Sequence, residues 1–354
     1  MTSFTQKKKT MNTKTDFAKY LSRFLSSYLS HERNVSHNTI AAYRDSFVLF
    51  INYMKDEKHI KADKITLDDV TKENVISFLC WLTDQKGCSI STRNCRLAAI
   101  HAFISYLQYE KVEKLNEWQS ILSIKVMKKE SNAPNYLTVE GIKLLLEQPD
   151  TESYSGLRHL SMLALMYDTG CRVQELIDLT VDSLRIQTEP YTIRIYGKGR
   201  KTRIVPMVRN QTIFLRNYMD RYGLNDDRHL THLLFFNNRG EKMTRTGVTY
   251  ILKKYADMAR RLNPSIIPEK ISCHSLRHSK AMHLLQAGIN LIWIRDLLGH
   301  TTVQTTEVYA RADSKQKRVA LEKTYTDMLP DKMKDGEWQK NQTLLDWLKG
   351  LQKK

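Results

Sequence analysis

One segment of this chain alternates apolar and polar residues as a half-buried β-strand does, and it lies between long stretches with helical spacing. Residues 191–196 alternate, residues 197–200 are typical of a tight turn, and residues 202–206 resume the alternation. A further short strand is expected at Leu233–Asn237. Because almost every other apolar pattern repeats at intervals of three and four residues, the sequence predicts a mainly α fold with a small β-hairpin or sheet.

The helical patterns fall into two groups. Before residue 120 every pattern is helical, and Ser36 is placed as a helix N-cap. Residues 123–136 lose this periodicity and contain Pro134, as a linker would, and Thr138 is placed to cap the next helix. We therefore predict five segments: a basic leader (1–14), an all-helical domain (15–122), a linker (123–136), a second domain (137–325) and a tail (326–354) that could form a partner-docking helix.

The charge balance points to an acidic partner. Lys and Arg total 56 against 38 Asp and Glu, which gives a formal net charge of +18. Such an excess attracts polyanions, because each neutralised phosphate releases a counterion. Nucleic acid is the partner that this predicts, and a scattered surface excess of charge is the alternative. No apolar run approaches the ~18 residues of a membrane span, so no membrane association is expected.

The cysteines bear on the compartment. The chain has five of them, an odd number, and they form no C-x-x-C pair. This usage is typical of reduced cysteines, with neither a disulfide framework nor a zinc site. No signal-peptide pattern stands at the start of the sequence. A cytoplasmic location is therefore expected.

The second domain contains side chains suited to phosphodiester chemistry. Moving a DNA strand without water or ATP requires a nucleophile that conserves the phosphate bond energy, cations around the transition state, and an acid for the leaving 5′-oxygen. A tyrosine suits the first role when arginines hold the phosphate. The candidates, in chain order, are Arg172 at the head of a helix, Lys198 between two glycines of the hairpin turn, His274 and Arg277 on one helix face, His300 after Gly299, and Tyr309.

Each candidate taken alone also fits a plainer role. Arg172 and Glu175 could form a surface helix pair, although the carboxylate could equally hold the guanidinium in place. Lys198 could be an ordinary solvated turn residue. Tyr309 is one of 17 tyrosines and could serve only in packing.

A metal site is the chemical alternative. His274 and His278 are spaced as a zinc pair on a helix, and His300 could join them. No carboxylate or thiol is spaced to complete the ligand set, and arginines dominate the surroundings. The sequence therefore favours a site without metal.

Taken together, these residues resemble the tyrosine recombinase (phage integrase) family, of the Xer or transposon-integrase kind. The resembling catalytic boxes are Thr169–Leu176 for the first arginine, Gly197–Pro206 for the hairpin, His274–His278 for the second arginine and Leu298–Tyr309 for the nucleophile. The first domain is similar to the family's helical core-binding domain at Ser36–Tyr43 and Leu97–Phe103. The resemblance covers roughly residues 15–325. It implies a DNA-binding first domain and a catalytic second domain.

The resemblance also implies a role for each catalytic residue. Tyr309 would attack the scissile phosphate, forming a 3′-phosphotyrosine and freeing a 5′-hydroxyl. Arg172 and Arg277 would bind the non-bridging oxygens of the phosphate. Lys198 would be the general acid for the leaving 5′-oxygen. His274 would assist proton transfer to or from the tyrosine, and His300 would donate a hydrogen bond to the phosphate. No cofactor and no metal are implied.

The implied partners are double-stranded DNA at specific recombination sites, three further copies of the chain in a homo-tetramer on two sites, and accessory recombination factors. The implied location is the bacterial cytoplasm or nucleoid. Candidate DNA contacts are Arg44, Arg93, Arg96, Lys201 and Arg203. The sequence does not distinguish integration, excision and dimer resolution as the role of such a recombinase. The alternative functions are those of a type IB topoisomerase, a telomere resolvase and a non-catalytic DNA-binding relative.

Overall fold

The computed structural model describes residues 15–128, 134–197, 201–300 and 302–312. The chain separates into two compact units, Met1–Ser131 and Asn132–Lys354. The predicted leader (1–14) and the predicted tail (326–354) lie outside the described residues, as does Lys198. Among the helices of the described ranges, none combines the length and apolar character that a membrane crossing requires.

The first unit is all-helical in its described part. Its helices are α1 (Asp16–Arg23), continued by a π-helix (Phe24–Glu32), then α2 (His37–Asp56), α3 (Lys72–Asp84), α4 (Ile90–Glu110) and α5 (Leu115–Leu122). Ser36 caps α2 as predicted, because its hydroxyl accepts a hydrogen bond from the Thr39 N–H. The core includes the fully buried rings of Phe24, Phe103 and Trp118.

The second unit combines helices with one small sheet. Its elements are α6 (Val139–Leu146), α7 (Tyr154–Thr169), α8 (Val173–Ile177), β1 (Leu184–Arg185), β2 (Thr192–Tyr196), β3 (Thr202–Pro206), α9 (Arg209–Arg221), α10 (Arg245–Leu262), α11 (Cys273–Gln286), α12 (Leu291–Leu298) and α13 (Gln304–Ala312). Thr138 caps α6 as predicted, accepting from the Gly141 N–H. The mainly α fold with a small sheet is therefore confirmed.

The three strands form an antiparallel sheet in the order β1–β2–β3. Ile193, Ile195 and Val205 point into the core, while Tyr196 and Ile204 are exposed, as the alternation of the two long strands predicts. The Gly197 N–H donates to the Lys201 carbonyl and closes the described base of the hairpin.

The expected strand at Leu233–Asn237 is wrong, because the third strand is β1. Leu233 makes only an isolated bridge with Thr180. The next two residues, Leu234 and Phe235, are both buried in the core, and the Leu234 N–H donates to the Leu179 carbonyl. The segment therefore packs with both of its faces covered and never joins the sheet.

Two left-handed glycines end the helices that lead into the site. Gly170 ends α7 with φ +58° and Gly299 ends α12 with φ +65°. Glycine adopts this conformation without the steric cost of a Cβ. At Gly170 an added Cβ would also lie 2.4 Å from the Leu298 Cδ2 atom. These turns place Arg172, two residues after Gly170, and His300, directly after Gly299.

Candidate active site

A pocket of about 260 Å³ in the second unit contains most of the predicted catalytic side chains. It lies where α11 packs against α7, α12 and α13. Its lining consists of Arg172, His274, Arg277, His278, His300, Thr305, Val308 and Tyr309. Tertiary packing thus gathers five of the six predicted catalytic residues, the first and last of which, Arg172 and Tyr309, lie 137 positions apart in the sequence.

Arg172 is held by the carboxylate of Glu175, as its position one turn on in α8 suggested. The Glu175 carboxylate accepts from the Arg172 backbone N–H at 2.9 Å and from Arg172 Nη1 at 2.8 Å. The same carboxylate accepts from Arg203 Nη2 at 2.7 Å. Burial alone would raise the pKa of Glu175, but the hydrogen bonds and charges of the two arginines hold that pKa below its usual value. Glu175 is therefore an anion that fixes two cations.

Arg277 is almost fully enclosed, with 2% of its surface exposed. Its Nη1 donates to the Gly170 carbonyl at 2.6 Å and its Nη2 to the Leu298 carbonyl at 2.7 Å. Burial and the nearby charge of Arg172 lower the pKa of Arg277 to about 10. The guanidinium thus stays charged at neutral pH. It ties the two glycine-ended helices together beside the pocket.

Tyr309 contacts two of the pocket's histidines. The residue is 3% exposed, and its hydroxyl lies 2.8 Å from His278 Nδ1 in a hydrogen bond. The His300 ring stacks on the tyrosine ring, with 6.3 Å between centroids and 17° between planes. Burial raises the pKa of the Tyr309 hydroxyl, although the charges of Arg277 and Arg172 oppose that rise.

The other two histidines differ in their partners. His300 Nδ1 is hydrogen bonded to the Thr306 hydroxyl at 2.9 Å. His274 is the most exposed of the three, and within the described residues it makes no hydrogen bond through its ring. Burial and nearby arginine charges lower the pKa of both, to about 4 for His300. Both are therefore neutral at pH 7.

The pocket suits a phosphate diester better than a metal ion. Arg172 and Arg277 supply two fixed positive charges, which attract phosphate oxygens and repel a divalent cation. No group of three potential metal ligands occurs in the part of the chain that the structure describes. A nucleophilic hydroxyl beside two guanidinium groups can carry out phosphoryl transfer.

In the first unit, the candidate DNA contacts have unequal exposure. Arg44 is exposed and ion-paired with Asp45. Arg93 is buried. Arg96 donates from Nη1 to the Ser46 hydroxyl at 3.1 Å. Arg44 is the most exposed of the three, and DNA contact by any of them stays a prediction.

In the second unit, the two hairpin candidates also differ. Lys201 is exposed immediately before β3. Arg203 is committed to protein partners, because its Nε donates to the Leu297 carbonyl at 3.0 Å and its Nη2 binds Glu175. The structure therefore gives Arg203 an internal role and leaves Lys201 available to an incoming ligand.

His278 was not among the predicted catalytic residues. The sequence suggested it only as a zinc ligand beside His274, whereas in the structure it lies against the Tyr309 hydroxyl. The available signal was the spacing, because His274 and His278 lie one turn apart on the same helix face. That spacing does not reveal which of the two would face a residue 31 positions further along the chain.

A mainly helical chain of two units, with a tyrosine hydroxyl set among arginines and histidines, defines an enzyme of the tyrosine recombinase class. Residues 135–316 match the model of the phage integrase family, and residues 21–111 match that of the phage integrase N-terminal SAM-like domain. The chain therefore belongs to the phage integrase family of tyrosine recombinases.

Individual relatives agree with this assignment. The chain is 34% identical over 296 residues to the tyrosine recombinase XerC of Herpetosiphon aurantiacus, covering 83% of this chain and 90% of that protein. It is 32% identical over 284 residues to the tyrosine recombinase XerD of Listeria monocytogenes, covering 80% and 90%. The XerH recombinase bound to its difH substrate, in a post-cleavage complex, has a TM-score of 0.64 at 23% identity and covers 82% and 81%. That last likeness shows a shared fold.

Proposed function

We propose that this tyrosine recombinase cleaves and rejoins DNA at specific sites with Tyr309 as its nucleophile. The observation that carries the proposal is the position of the Tyr309 hydroxyl in one pocket with Arg172 and Arg277. Tyr309 as a whole is only 3% exposed, and the arginines mark where a phosphate would be held.

In the proposed step, the Tyr309 oxygen attacks the scissile phosphorus and the bond to the 5′-oxygen breaks. The products are a 3′-phosphotyrosine and a 5′-hydroxyl. Arg172 and Arg277 would neutralise the charge that develops on the non-bridging oxygens. His300, whose Nδ1 is held by Thr306, would use its other ring nitrogen to hydrogen bond the phosphate.

The leaving 5′-oxygen needs a proton. We assign it to Lys198, which follows Gly197 at the described base of the hairpin and itself lies outside the described residues. The Gly197 position supports this assignment, because a Cβ there would lie 3.3 Å from a Glu175 carboxylate oxygen. The hairpin base therefore reaches the carboxylate that holds Arg172.

The reaction needs no outside energy source. The phosphotyrosine keeps the energy of the cleaved bond, so a 5′-hydroxyl of the same or another strand can attack it and regenerate Tyr309. Attack by the original strand restores the DNA, and attack by a different strand recombines it. We propose a homo-tetramer on two double-stranded sites as the acting form, in the cytoplasm, with accessory factors as a further expectation.

The proposal is tested by covalent capture. The protein is expressed beside a plasmid library with a randomised segment, denatured and recovered, and the DNA that stays attached is sequenced. Tyr309→Phe removes the nucleophile, and Tyr250→Phe serves as the matched control because Tyr250 is 70% exposed on α10. We expect DNA on the wild type and on Tyr250→Phe, and none on Tyr309→Phe. Equal retention by all three would refute Tyr309 as the nucleophile.

The recovered sequence then separates a recombinase from a topoisomerase. Two copies of the site are placed on one plasmid, and the products are resolved by size. A recombinase deletes or inverts the segment between the two sites, whereas a topoisomerase relaxes the plasmid and leaves its map unchanged. We expect deletion or inversion that depends on both copies.

A further inference from the structure

The hydroxyl of Tyr309 has one hydrogen-bonding partner among the described side chains, and that partner is His278. The Tyr309 oxygen and His278 Nδ1 lie 2.8 Å apart, and the two ring centroids are 5.6 Å apart at an angle of 58°. Both residues line the pocket that also contains Arg172 and Arg277. The bond therefore lies inside the candidate active site.

The two neighbouring histidines are less well placed for contact with the hydroxyl. His300 stacks face to face with the Tyr309 ring, and its Nδ1 is bound to Thr306. His274 contacts the His278 ring at 5.8 Å between centroids and has no hydrogen bond to Tyr309 within the described residues. His274 and His278 lie one turn apart on the same face of α11. The position of this helix relative to Tyr309 therefore determines which of the two contacts the hydroxyl.

The charge state of the pair suits transfer of a proton from oxygen to nitrogen. Burial, His274 and the charge of Arg277 lower the pKa of His278 to about 4, so the imidazole is neutral at pH 7. A neutral imidazole carries one nitrogen that can accept a proton. The tyrosine is also protonated, because burial raises the pKa of its hydroxyl.

We propose that His278 is a catalytic residue of the cleavage step, in which its Nδ1 accepts the Tyr309 proton. This deepens the proposed function and rests on it. As the Tyr309 oxygen bonds to phosphorus, its O–H bond breaks and the proton moves to Nδ1, while the bond from phosphorus to the 5′-oxygen breaks and that oxygen takes a proton from the general acid. In rejoining, the 5′-hydroxyl oxygen attacks phosphorus and its proton returns to the general acid, while the tyrosine oxygen leaves and takes back its proton from the imidazolium.

Formation of positive charge on His278 has a cost in this pocket, since Arg277 lies nearby. A phosphate diester, once bound, supplies the compensating negative charge. His278 is therefore expected to accept the proton only after DNA has bound. The neutral resting state keeps Tyr309 protonated until then.

The test measures single-turnover cleavage of a nicked duplex carrying the site from the capture experiment. His278→Ala removes the imidazole. His278→Asn keeps a polar atom near the Nδ1 position but cannot take up a proton at neutral pH. We expect both variants to cleave about 100-fold or more slowly than the wild type, the lower range of what general acid–base groups contribute. His274→Ala is measured beside them as the competing base, and Gln286→Ala, exposed at the end of the same helix, is the control.

A second readout separates proton transfer from a packing role. Tyr309 is replaced by a fluorinated tyrosine, whose phenol is more acidic, in the wild type and in each variant. A more acidic nucleophile depends less on a base. The deficit of His278→Ala should therefore shrink with the fluorinated residue, and that of His274→Ala should not. Thermal midpoints and DNA affinity of every variant are measured alongside to establish that each is folded.

Each outcome has a defined meaning. If His278→Asn cleaves as fast as the wild type, His278 only orients the hydroxyl and the proposal is wrong. An unchanged deficit with the fluorinated tyrosine, in a folded His278→Ala that binds DNA, overturns it as well. If the fluorinated tyrosine reduces the cleavage deficit of His274→Ala and not that of His278→Ala, the base is His274 and the proposal is wrong. Absence of cleavage by the wild type would count against the proposed function itself, which the capture experiment tests separately.

Discussion

Glu175 and Arg203 form an ion pair inside the second unit, with 2.7 Å between a carboxylate oxygen and Nη2. Their side chains are 5% and 12% exposed. The carboxylate also holds Arg172, and the Arg203 Nε binds the carbonyl of Leu297. The pair therefore links strand β3, the predicted catalytic residue Arg172 and the end of α12, three parts of the candidate site that are distant in sequence.

Arg203→Met is expected to lower the cleavage rate more than it lowers DNA affinity. The change leaves the buried Glu175 with one cation, and breaking a buried ion pair costs about 3–5 kcal/mol of folding free energy. Cleavage, DNA binding and the urea midpoint are measured together, with Arg194→Met as the control because Arg194, on the neighbouring strand β2, forms an exposed ion pair with Asp182. A variant with normal stability and weakened DNA binding would instead identify Arg203 as a DNA contact.

Gly170→Ala is expected to disable the site and destabilise the second unit. The residue has φ +58°, and the new Cβ would meet Leu298 Cδ2 at 2.4 Å, while the Gly170 carbonyl binds Arg277. Backbone strain of this type costs about 1–3 kcal/mol before any clash. Gly223→Ala is the matched control, because Gly223 has φ +66° with no neighbouring atom within 4 Å of the new Cβ. If both variants lose equal stability and keep cleavage, the close approach to Leu298 is unimportant.

Stability is expected to fall as the pH drops from about 6.5 towards 4. Burial lowers the pKa of His159, His278 and His300 to about 4 in the folded protein. The unfolded chain, with histidine pKa values near 6.5, therefore binds protons first as the pH falls. The stability that these histidines contribute is present in full above about pH 6.5 and is lost as the pH falls to about 4.

The measurement for the acid effect is the thermal midpoint at constant ionic strength across this pH range. His159→Asn removes one titrating group and can keep the hydrogen bond that His159 Nδ1 makes with the Tyr255 hydroxyl. Its profile should be flatter than that of the wild type. A wild-type midpoint that does not change between these pH values contradicts the expectation.

Cleavage is expected to continue when divalent metal ions are chelated. Arg172 and Arg277 supply the positive charge that a metal would otherwise provide at the phosphate. Nδ1 of His278 and Nδ1 of His300 are already engaged by Tyr309 and Thr306. The covalent complex is quantified with and without EDTA at matched ionic strength. Loss of cleavage with EDTA, restored by one added metal, would revive the zinc alternative of the three histidines.

The sequence predicted the features of this protein that follow from local rules. The caps at Ser36 and Thr138 depend on a hydroxyl and an N–H three residues apart, so each is visible in a short window. The alternation of β2 and β3 is equally local. The order and spacing of the catalytic boxes were enough to indicate the family, which the matches to known proteins established.

The tertiary structure decided which side chains meet. His278 and His274 are equivalent by spacing, and only the packing of α13 against α11 brings the Tyr309 hydroxyl to His278. Arg203 is a basic residue of the hairpin and was therefore a candidate DNA contact, yet its side chain is buried beside Glu175 and forms an ion pair with it. The pairing of β1 with β2 was missed for the same reason. Contacts between distant segments depend on how whole helices and strands pack, and the periodicity of any one segment does not contain that information.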